Sequence, residues 1–243
     1  GANGLLCRSG DNGQTWTVIN TGTNQTFYSI SFANPNRGWA VGSGGTIWYY
    51  NGSGWSSQNV NSGITFYKIH AIGNTAYAVG TNGTVCKYVN GAWTAINPGV
   101  GNTFYAVHFT SETVGYIAGS GGIICRTTNG GVSWTPLTSG TTKDLKCIKT
   151  ACPSEAIVAG DSGVVLTTTN RGASWTNRNL NQDININSVI WSEGSGYLVG
   201  ENGNAFSFTF GGQADQLSIS PNSPVSFCPG TSVDLTASGS YNY

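Results

Sequence analysis

The sequence predicts an all-β fold, a β-propeller of four-stranded blades, and three observations carry that reading. A Gly-x-x-Gly tetrapeptide recurs six times, tryptophans follow it at separations of 39, 38, 41 and 41 residues, and an aromatic-rich segment opens most repeats. A period near 40 residues suits one four-stranded blade and is too long for a single hairpin or a β-helix coil.

Each unit opens with an aromatic strand at Phe27-Tyr28-Ser29-Ile30, Phe66-Tyr67-Lys68-Ile69 and Phe104-Tyr105-Ala106-Val107. Leu145-Lys146-Cys147-Ile148 and Ser188-Val189-Ile190-Trp191 are looser copies. We assign this strand the innermost place in its blade. Apolar side chains on both alternating faces are expected of a blade sandwiched between two neighbours. A second strand ends in an apolar pair (Ala40-Val41, Ala78-Val79, Ile117-Ala118, Val158-Ala159, Leu198-Val199) and runs into Gly42–Gly45, Gly80–Gly83, Gly119–Gly122, Gly160–Gly163 or Gly200–Gly203, with Gly1–Gly4 as the sixth copy. Glycine supplies the positive φ that such tight turns demand.

A third strand follows each turn, as at Leu5-Leu6-Cys7, Thr46-Ile47-Trp48 and Ile123-Ile124-Cys125, and then come an Asn/Asp-Gly turn and Trp16, Trp55, Trp93, Trp134 or Trp175. The third strand appears six times and each other strand five times. Six repeats are therefore visible, the first and last incomplete, and five to seven blades fit the inventory.

Composition excludes several functions. Charged residues are 8% of the chain and Lys+Arg balance Asp+Glu at 10 each; without a basic cluster, the electrostatic term that drives nucleic-acid binding is missing. No apolar run approaches the ~18 residues needed to span a bilayer, so direct membrane insertion is not expected.

The turns before the tryptophans carry the most specific motif. Ser9-x-Asp11-x-Gly13-x-Thr15-Trp16 is a full Asp-box; Thr127-x-Asn129-x-Gly131-x-Ser133-Trp134 and Thr168-x-Asn170-x-Gly172-x-Ser174-Trp175 keep it with Asn for Asp. Asn51 to Trp55 and Asn90 to Trp93 are worn copies. The Asp or Asn side chain can bond backbone N–H groups of its own turn, Gly takes the left-handed position, and the indole packs over the hairpin. Such a box stabilises a turn and does no chemistry. The combination resembles the BNR-repeat propellers of the photosystem II stability/assembly-factor type, also found in secreted bacterial proteins, over about residues 1 to 210. The photosynthetic members of that family dock on a membrane complex through basic surface; this nearly uncharged chain lacks such a surface, so that role is not carried over.

After Phe210 the pattern stops, and residues 211–216 read as a linker. Residues 217–243 resemble the opening strands of the Ig-like domains of surface proteins exported by the type IX system. That resemblance implies a truncated Ig-like domain start, a longer natural chain, and for Cys228 either a disulfide partner beyond Tyr243 or a free thiol.

Three sets of residues are candidates for chemistry. Asp-boxes occur in sialidases and some endoglucanases, and a glycosidase needs paired carboxylates; Glu112, Glu155 and Glu193 fall in matching turns, where they also serve simply to keep a rim soluble. His70, His108 and Lys149 occupy matching places on innermost strands, as ordinary channel or inter-blade polar residues or as a small-ligand or anion site, with no third metal ligand at a familiar spacing. Cys147 and Cys152 flank the first hairpin of one repeat and invite a local disulfide, whereas Cys7, Cys86 and Cys125 at equivalent strand positions read as buried small apolar residues.

The reading is a non-catalytic binding or spacer module of a larger secreted or cell-surface protein, on a bacterial outer surface. No metal or cofactor is expected. Its partners would be other domains of the same chain and a surface protein or glycan. The alternatives are a lectin-like propeller, with Trp48, Tyr49, Tyr50 and Trp55 stacking on sugars, and an Asp-box glycoside hydrolase.

Overall fold

The computed structural model describes residues 1–58, 60, 63–192, 195–210 and 217–221. Five four-stranded antiparallel sheets succeed one another along the chain, each a meander of consecutive strands. They are preceded by a two-stranded sheet, β1 (Leu6–Arg8) and β2 (Thr17–Ile19). Blade 1 comprises β3 (Phe27–Asn34), β4 (Arg37–Gly42), β5 (Ile47–Tyr50) and β6 (Trp55–Ser57). Blade 2 comprises β7 (Phe66–Ile72), β8 (Thr75–Gly80), β9 (Val85–Val89) and β10 (Ala92–Ile96). Blade 3 follows with β11 (Phe104–Phe109), β12 (Gly115–Gly119), β13 (Ile124–Thr127) and β14 (Thr135–Leu137). Blade 4 has β15 (Leu145–Cys152), β16 (Glu155–Gly160), β17 (Val165–Thr168) and β18 (Thr176–Asn177). Blade 5 has β19 (Ile186–Ser192), β20 (Ser195–Gly200), β21 (Ala205–Phe210) and β22 (Leu217–Pro221).

The aromatic opening strands lie side by side, β3 against β7, β7 against β11, β11 against β15 and β15 against β19, which is the innermost position expected of them. Their side chains alternate. One row faces the preceding blade and is apolar in the interior: Val107 and Phe109 of blade 3 pack on Tyr77, Val79 and Val85 of blade 2, and Val189 and Trp191 of blade 5 pack on Ile157, Ala159 and Val165 of blade 4. The other row holds Ser29 and Ser31, Lys68 and His70, and Cys147 and Lys149. The expectation that both faces are apolar thus holds for the first row, and in the second only where Ala106 and Cys147 pack on the following blade. The second strands β8 and β12, fully buried along their length, come closest to the sandwiched ideal.

Five of the six Gly-x-x-Gly turns join a second strand to a third, as expected, and the turns also fasten neighbouring units. At Gly119–Gly122, Gly121 and Gly122 have φ of 66° and 76°. A Cβ on Gly119 would sit 2.0 Å from the Thr103 carbonyl oxygen, and one on Gly122 would sit 2.0 Å from that of Thr141 in the segment leading to blade 4. In other copies the last glycine donates its N–H to the chain entering the next blade: Gly4 to Gln25 at 2.7 Å and Gly45 to Ile64 at 2.6 Å. Glycine is required here for close backbone approach as well as for φ.

One boundary moves. Leu217–Pro221, read from sequence as the opening of an Ig-like domain, pairs antiparallel with β21 from Phe206↔Pro221 to Phe210↔Leu217 as the outermost strand of blade 5. The last repeat is therefore a complete blade, and the limit drawn at residue 210 cuts through it. The linker 211–216 and the rest of the tail, with Cys228, lie outside the described residues. The first repeat is incomplete as expected: β1 and β2 supply a third and a fourth strand, and Leu6 packs on Phe27 and Ala40 of blade 1.

Candidate functional site

The Asp-box turns have the geometry their sequence predicts. Asp11 accepts the Thr15 N–H at 2.9 Å and the Thr15 hydroxyl at 2.6 Å, while Ser9 Oγ accepts the Gly13 N–H at 2.7 Å. The Thr15 hydroxyl and N–H, with Ser9, hold the Asp11 carboxyl down at about 2. Asn129 Oδ1 accepts the Ser133 N–H at 3.0 Å and Thr127 Oγ1 accepts the Gly131 N–H at 2.9 Å; Asn170, Ser174, Thr168 and Gly172 repeat both bonds. Gly13, Gly131 and Gly172 have φ of 87°, 81° and 81°. In the worn copies, Asn51 Oδ1 accepts the Ser53 and Gly54 N–H groups, and Asn90 itself takes a positive φ of 51°.

Sequence reasoning missed that these turns dock on the preceding blade. The Gly130 carbonyl of blade 3 accepts the Tyr77 hydroxyl at 3.0 Å and Lys87 Nζ at 2.8 Å, both from blade 2. Tyr77 and Lys87 are directly opposite on β8 and β9. A cation facing a tyrosine across two strands recurs at Arg126 and Tyr116, and that recurrence is the signal that points to the contact. The boxed tryptophans follow the same logic. Trp134, 8% exposed, lies edge-on to Phe109 at 5.9 Å, whereas Trp16 is 64% exposed and only donates its Nε1–H to Gly13 O at 3.1 Å.

Of the rim carboxylates, Glu112 fastens two blades. Glu112 in the β11–β12 turn accepts the Asn74 N–H of blade 2 at 3.0 Å, and Glu155 opens β16 opposite Cys152. Glu193 lies outside the described residues. The arginines are dispersed likewise: Arg8 donates to Tyr50 Oη at 3.3 Å, Arg37 to Asn74 Oδ1 at 2.6 Å, and Arg171 takes a positive φ within its turn.

The structure does bring the channel-side residues together. The His70 and His108 rings are 4.4 Å apart. His70 Nδ1 accepts the Phe109 N–H of the next blade at 3.3 Å, which leaves its proton on Nε2. His108 Nδ1 is 2.6 Å from Thr150 Oγ1 of the blade after that, and Ser31 Oγ has the equivalent role between blades 1 and 2, accepting the Ala71 N–H at 3.0 Å. These bonds are the inter-blade role anticipated from sequence. Burial, then Lys149 and Lys68, push His70 down to about 4; burial, then His70 and the same lysines, push His108 to about 2. Toward one end of the same strands, Tyr28, Tyr67 and Tyr105 stand in a row with ring centroids 5.7 and 5.2 Å apart, and Lys146 Nζ lies 3.9 Å above the Tyr105 ring.

Three expectations are corrected. Cys147 and Cys152 are free thiols on a single strand, β15; five steps of extended chain separate their Cα atoms by roughly 16 Å, and a disulfide tolerates at most about 7 Å. Cys147 is buried against Ala159 O, its thiol pushed up to about 12 by burial, and Cys152 lies 3.1 Å from Ser154 Oγ. Cys86 and Cys125 are buried as read, but Cys7 follows the inward-facing Leu6 on β1, takes the other face and is exposed. Of the proposed sugar-stacking aromatics, Tyr50 is buried, Tyr49 stacks on Tyr88, and Trp55 packs edge-on to Phe32. The exposed apolar surface lies instead at Trp16, Phe32 and Ile30, which with Arg8 and Trp55 line a cleft of about 280 Å³ between β1–β2 and blade 1.

Among the described residues no group of three or more His, Cys, Asp or Glu side chains is placed to hold a metal ion, and no helix is long and apolar enough to cross a membrane.

Comparison with known proteins agrees with this architecture. The family model for the photosynthesis system II assembly factor YCF48 matches residues 87–185, the stretch holding both Asn-bearing boxes. Among solved structures, "YCF48 bound to D1 peptide" superposes with a TM-score of 0.69 at 18% identity, over 91% of this chain and 75% of that one. YCF48 from Cyanidioschyzon merolae gives 0.65 at 16% identity, over 84% and 74%. The computationally designed Ika8 protein gives 0.64 at 12% identity, over 88% and 71%. No curated protein matches the sequence. The chain is a BNR-type β-propeller resembling the photosystem II assembly factor.

Proposed function

We propose that this propeller is a non-catalytic protein-docking module, working beside other domains of a larger secreted or cell-surface protein. The observation that carries the reading is the cleft lined by Trp16, Phe32, Ile30 and Trp55 with Arg8 at its edge. Exposed aromatic rings next to an arginine are the side chains that contribute most to protein recognition. The carboxylates a hydrolase would need are engaged otherwise, Glu112 on a backbone N–H of blade 2. One of the structural neighbours is YCF48 bound to D1 peptide, which supports a peptide or protein surface as the occupant.

The test is selection from a displayed peptide library against the whole chain, followed by affinity measurement. Selected peptides should lose at least ~10-fold in affinity on Trp16→Ala or Phe32→Ser, about 1.4 kcal/mol. Equal binding by wild type and both variants would exclude the cleft. Assays with sialosides and β-glucans should show background turnover; robust hydrolysis abolished by Glu112→Gln or Glu155→Gln would replace the docking reading with a glycosidase. The row of Tyr28, Tyr67 and Tyr105 favours one second reading, a lectin whose tyrosines stack on sugar rings, and a glycan array whose hits vanish with Tyr67→Ala would establish it.

A further inference from the structure

Every complete blade holds its third strand between two neighbours, but β1, the third strand of the first repeat, pairs among the described residues with β2 alone. Its open edge is the place of a second strand. Cys7 and Arg8 on β1 line the same cleft as Trp16, Ile30 and Phe32, so the inference rests on the docking reading of that cleft and names its occupant.

The backbone shows what the edge accepts. The carbonyls of Ile47 and Val165, counterparts of Leu6, accept the Gln58 and Arg178 N–H groups at 2.7 Å on the outer side of their blades. Those of Thr46 and Ile123, counterparts of Leu5, accept the Gly42 and Gly119 N–H groups at 3.0 Å on the second-strand side. A strand residue sends its N–H and C=O to one edge and its successor sends them to the other. Cys7 therefore aims both groups at the open edge.

The side chains show what the cleft accepts. Opposite the position of Arg8, the second strand carries Trp39, Tyr77, Tyr116 or Tyr197, with Ile157 in blade 4, and two residues later it carries Val or Ala. The first strand of the next blade covers both: Phe109 stacks on Tyr77 at 3.7 Å, and Val107 packs beside Val79. Ile30 and Phe32, the counterparts of Val107 and Phe109, are 49% and 45% exposed. Arg8 has no residue opposite it on the open edge, where Arg126 has the Tyr116 ring at 5.7 Å. The open edge and the apolar pair thus continue the interface that joins complete blades.

We propose that β1 accepts an extended, antiparallel segment of a partner protein as the second strand of its sheet. An aromatic residue of that segment sits between Arg8 and Phe32, and a Val or Ala two positions later lies against Ile30. Main-chain bonds to Cys7 give such strand addition its affinity, and the two side chains give it register.

The probe is a synthetic peptide copying residues 112–119, titrated against the whole 243-residue chain. In blade 3 its tyrosine, isoleucine and alanine pair with Arg126, Cys125 and Ile124, the counterparts of Arg8, Cys7 and Leu6. N-methylation of the isoleucine, whose N–H addresses Cys7, should weaken binding at least ~10-fold. N-methylation of the tyrosine, whose N–H faces away, should change it less than about twofold. Replacing the tyrosine by alanine should also cost at least ~10-fold. In the chain, Cys7→Pro should cost at least ~10-fold and Cys7→Ala should not, since proline is tolerated on an edge strand where its N–H is not used. Should Cys7→Pro fail to fold, the two methylated peptides decide alone. Absence of binding, equal losses from both methylations, or a dimer of the chain that the peptide does not dissociate overturns strand addition. Library peptides that weaken on Trp16→Ala but tolerate Cys7→Pro would keep the docking reading and remove this one.

Discussion

Blade 3 and blade 1 present the same register positions to their preceding neighbour, with opposite results. Val107 and Phe109 are 2% and 1% exposed, whereas the equivalent Ile30 and Phe32 are 49% and 45% exposed. The other end of the arc mirrors this: Tyr77 and Val79 of β8 are fully buried, and Tyr197 and Val199 of β20 are 52% and 41% exposed. Burial in this fold is a property of a pair of blades. A strand's apolar pattern states which side a neighbour would cover, and the described residues leave one face at each end uncovered.

The largest test of that difference is Phe109→Ala against Phe32→Ala. Phe109 stacks on Tyr77 at 3.7 Å between centroids and should cost about 3–5 kcal/mol in denaturant unfolding. Phe32 meets Tyr50 and Trp55 edge-on and covers Gly38 but is 45% exposed, and should cost about 1 kcal/mol or less. Similar losses would show that the end face is covered in solution.

Acid sensitivity comes next. Ser31 ties blade 1 to blade 2 with a group that does not titrate, while His70 and His108 make the following two ties. Their folded values, about 4 and about 2, lie below the ordinary 6.5, so the unfolded chain binds more protons in mild acid. Stability is therefore full above pH ~7 and falls as pH drops through 6.5, by about 1–2 kcal/mol per histidine between pH 7 and 5. Denaturant midpoints for His70→Gln should show a shallower decline over that window; an unchanged slope would mean that the ring is not held neutral.

The two kinds of Asp-box should differ by less. Thr127 is buried under blade 2 and its hydroxyl accepts two N–H groups, so Thr127→Ala should cost about 1–2 kcal/mol. Ser9→Ala, in the open box, should cost about 0.5 kcal/mol, because water replaces the lost partner. The smallest effect is kinetic. A thiol reagent should modify Cys7 at once and reach Cys86, Cys125 and Cys147 only at the rate of unfolding; rapid labelling of Cys125 would mean that the interior blades separate.

The blade period, the innermost strand and the turn chemistry of the boxes are legible in the sequence because each rests on local spacing. What the sequence hides lies between repeats. The docking of Gly130 on Tyr77 and Lys87 joins residues 53 and 43 positions apart, and no local pattern announces it. Lys68 does not stand out beside His70 because its counterparts are Ser29 and Ala106, so aligning the repeats shows no shared chemistry. The Cys147–Cys152 pairing fails for a local reason: the first strand of blade 4 runs on to Cys152, as that of blade 1 runs on to Asn34, and so carries both thiols. Leu217–Pro221 reads as a new domain because the fourth strand of blade 5 lacks the tryptophan that marks its counterparts.

Along the innermost strands and at the Gly-x-x-Gly turns, the groups that fasten one blade to the next sit on the earlier blade. Ser31 accepts from blade 2, His70 accepts from blade 3, His108 meets Thr150 of blade 4, and the last glycine of a turn addresses the segment entering the next unit. The array consequently has a polarity, and during synthesis each blade leaves the ribosome after the surface that sets its register has formed. Assembly from the N-terminus can proceed by templating, one repeat laid upon the last, without waiting for the chain's far end.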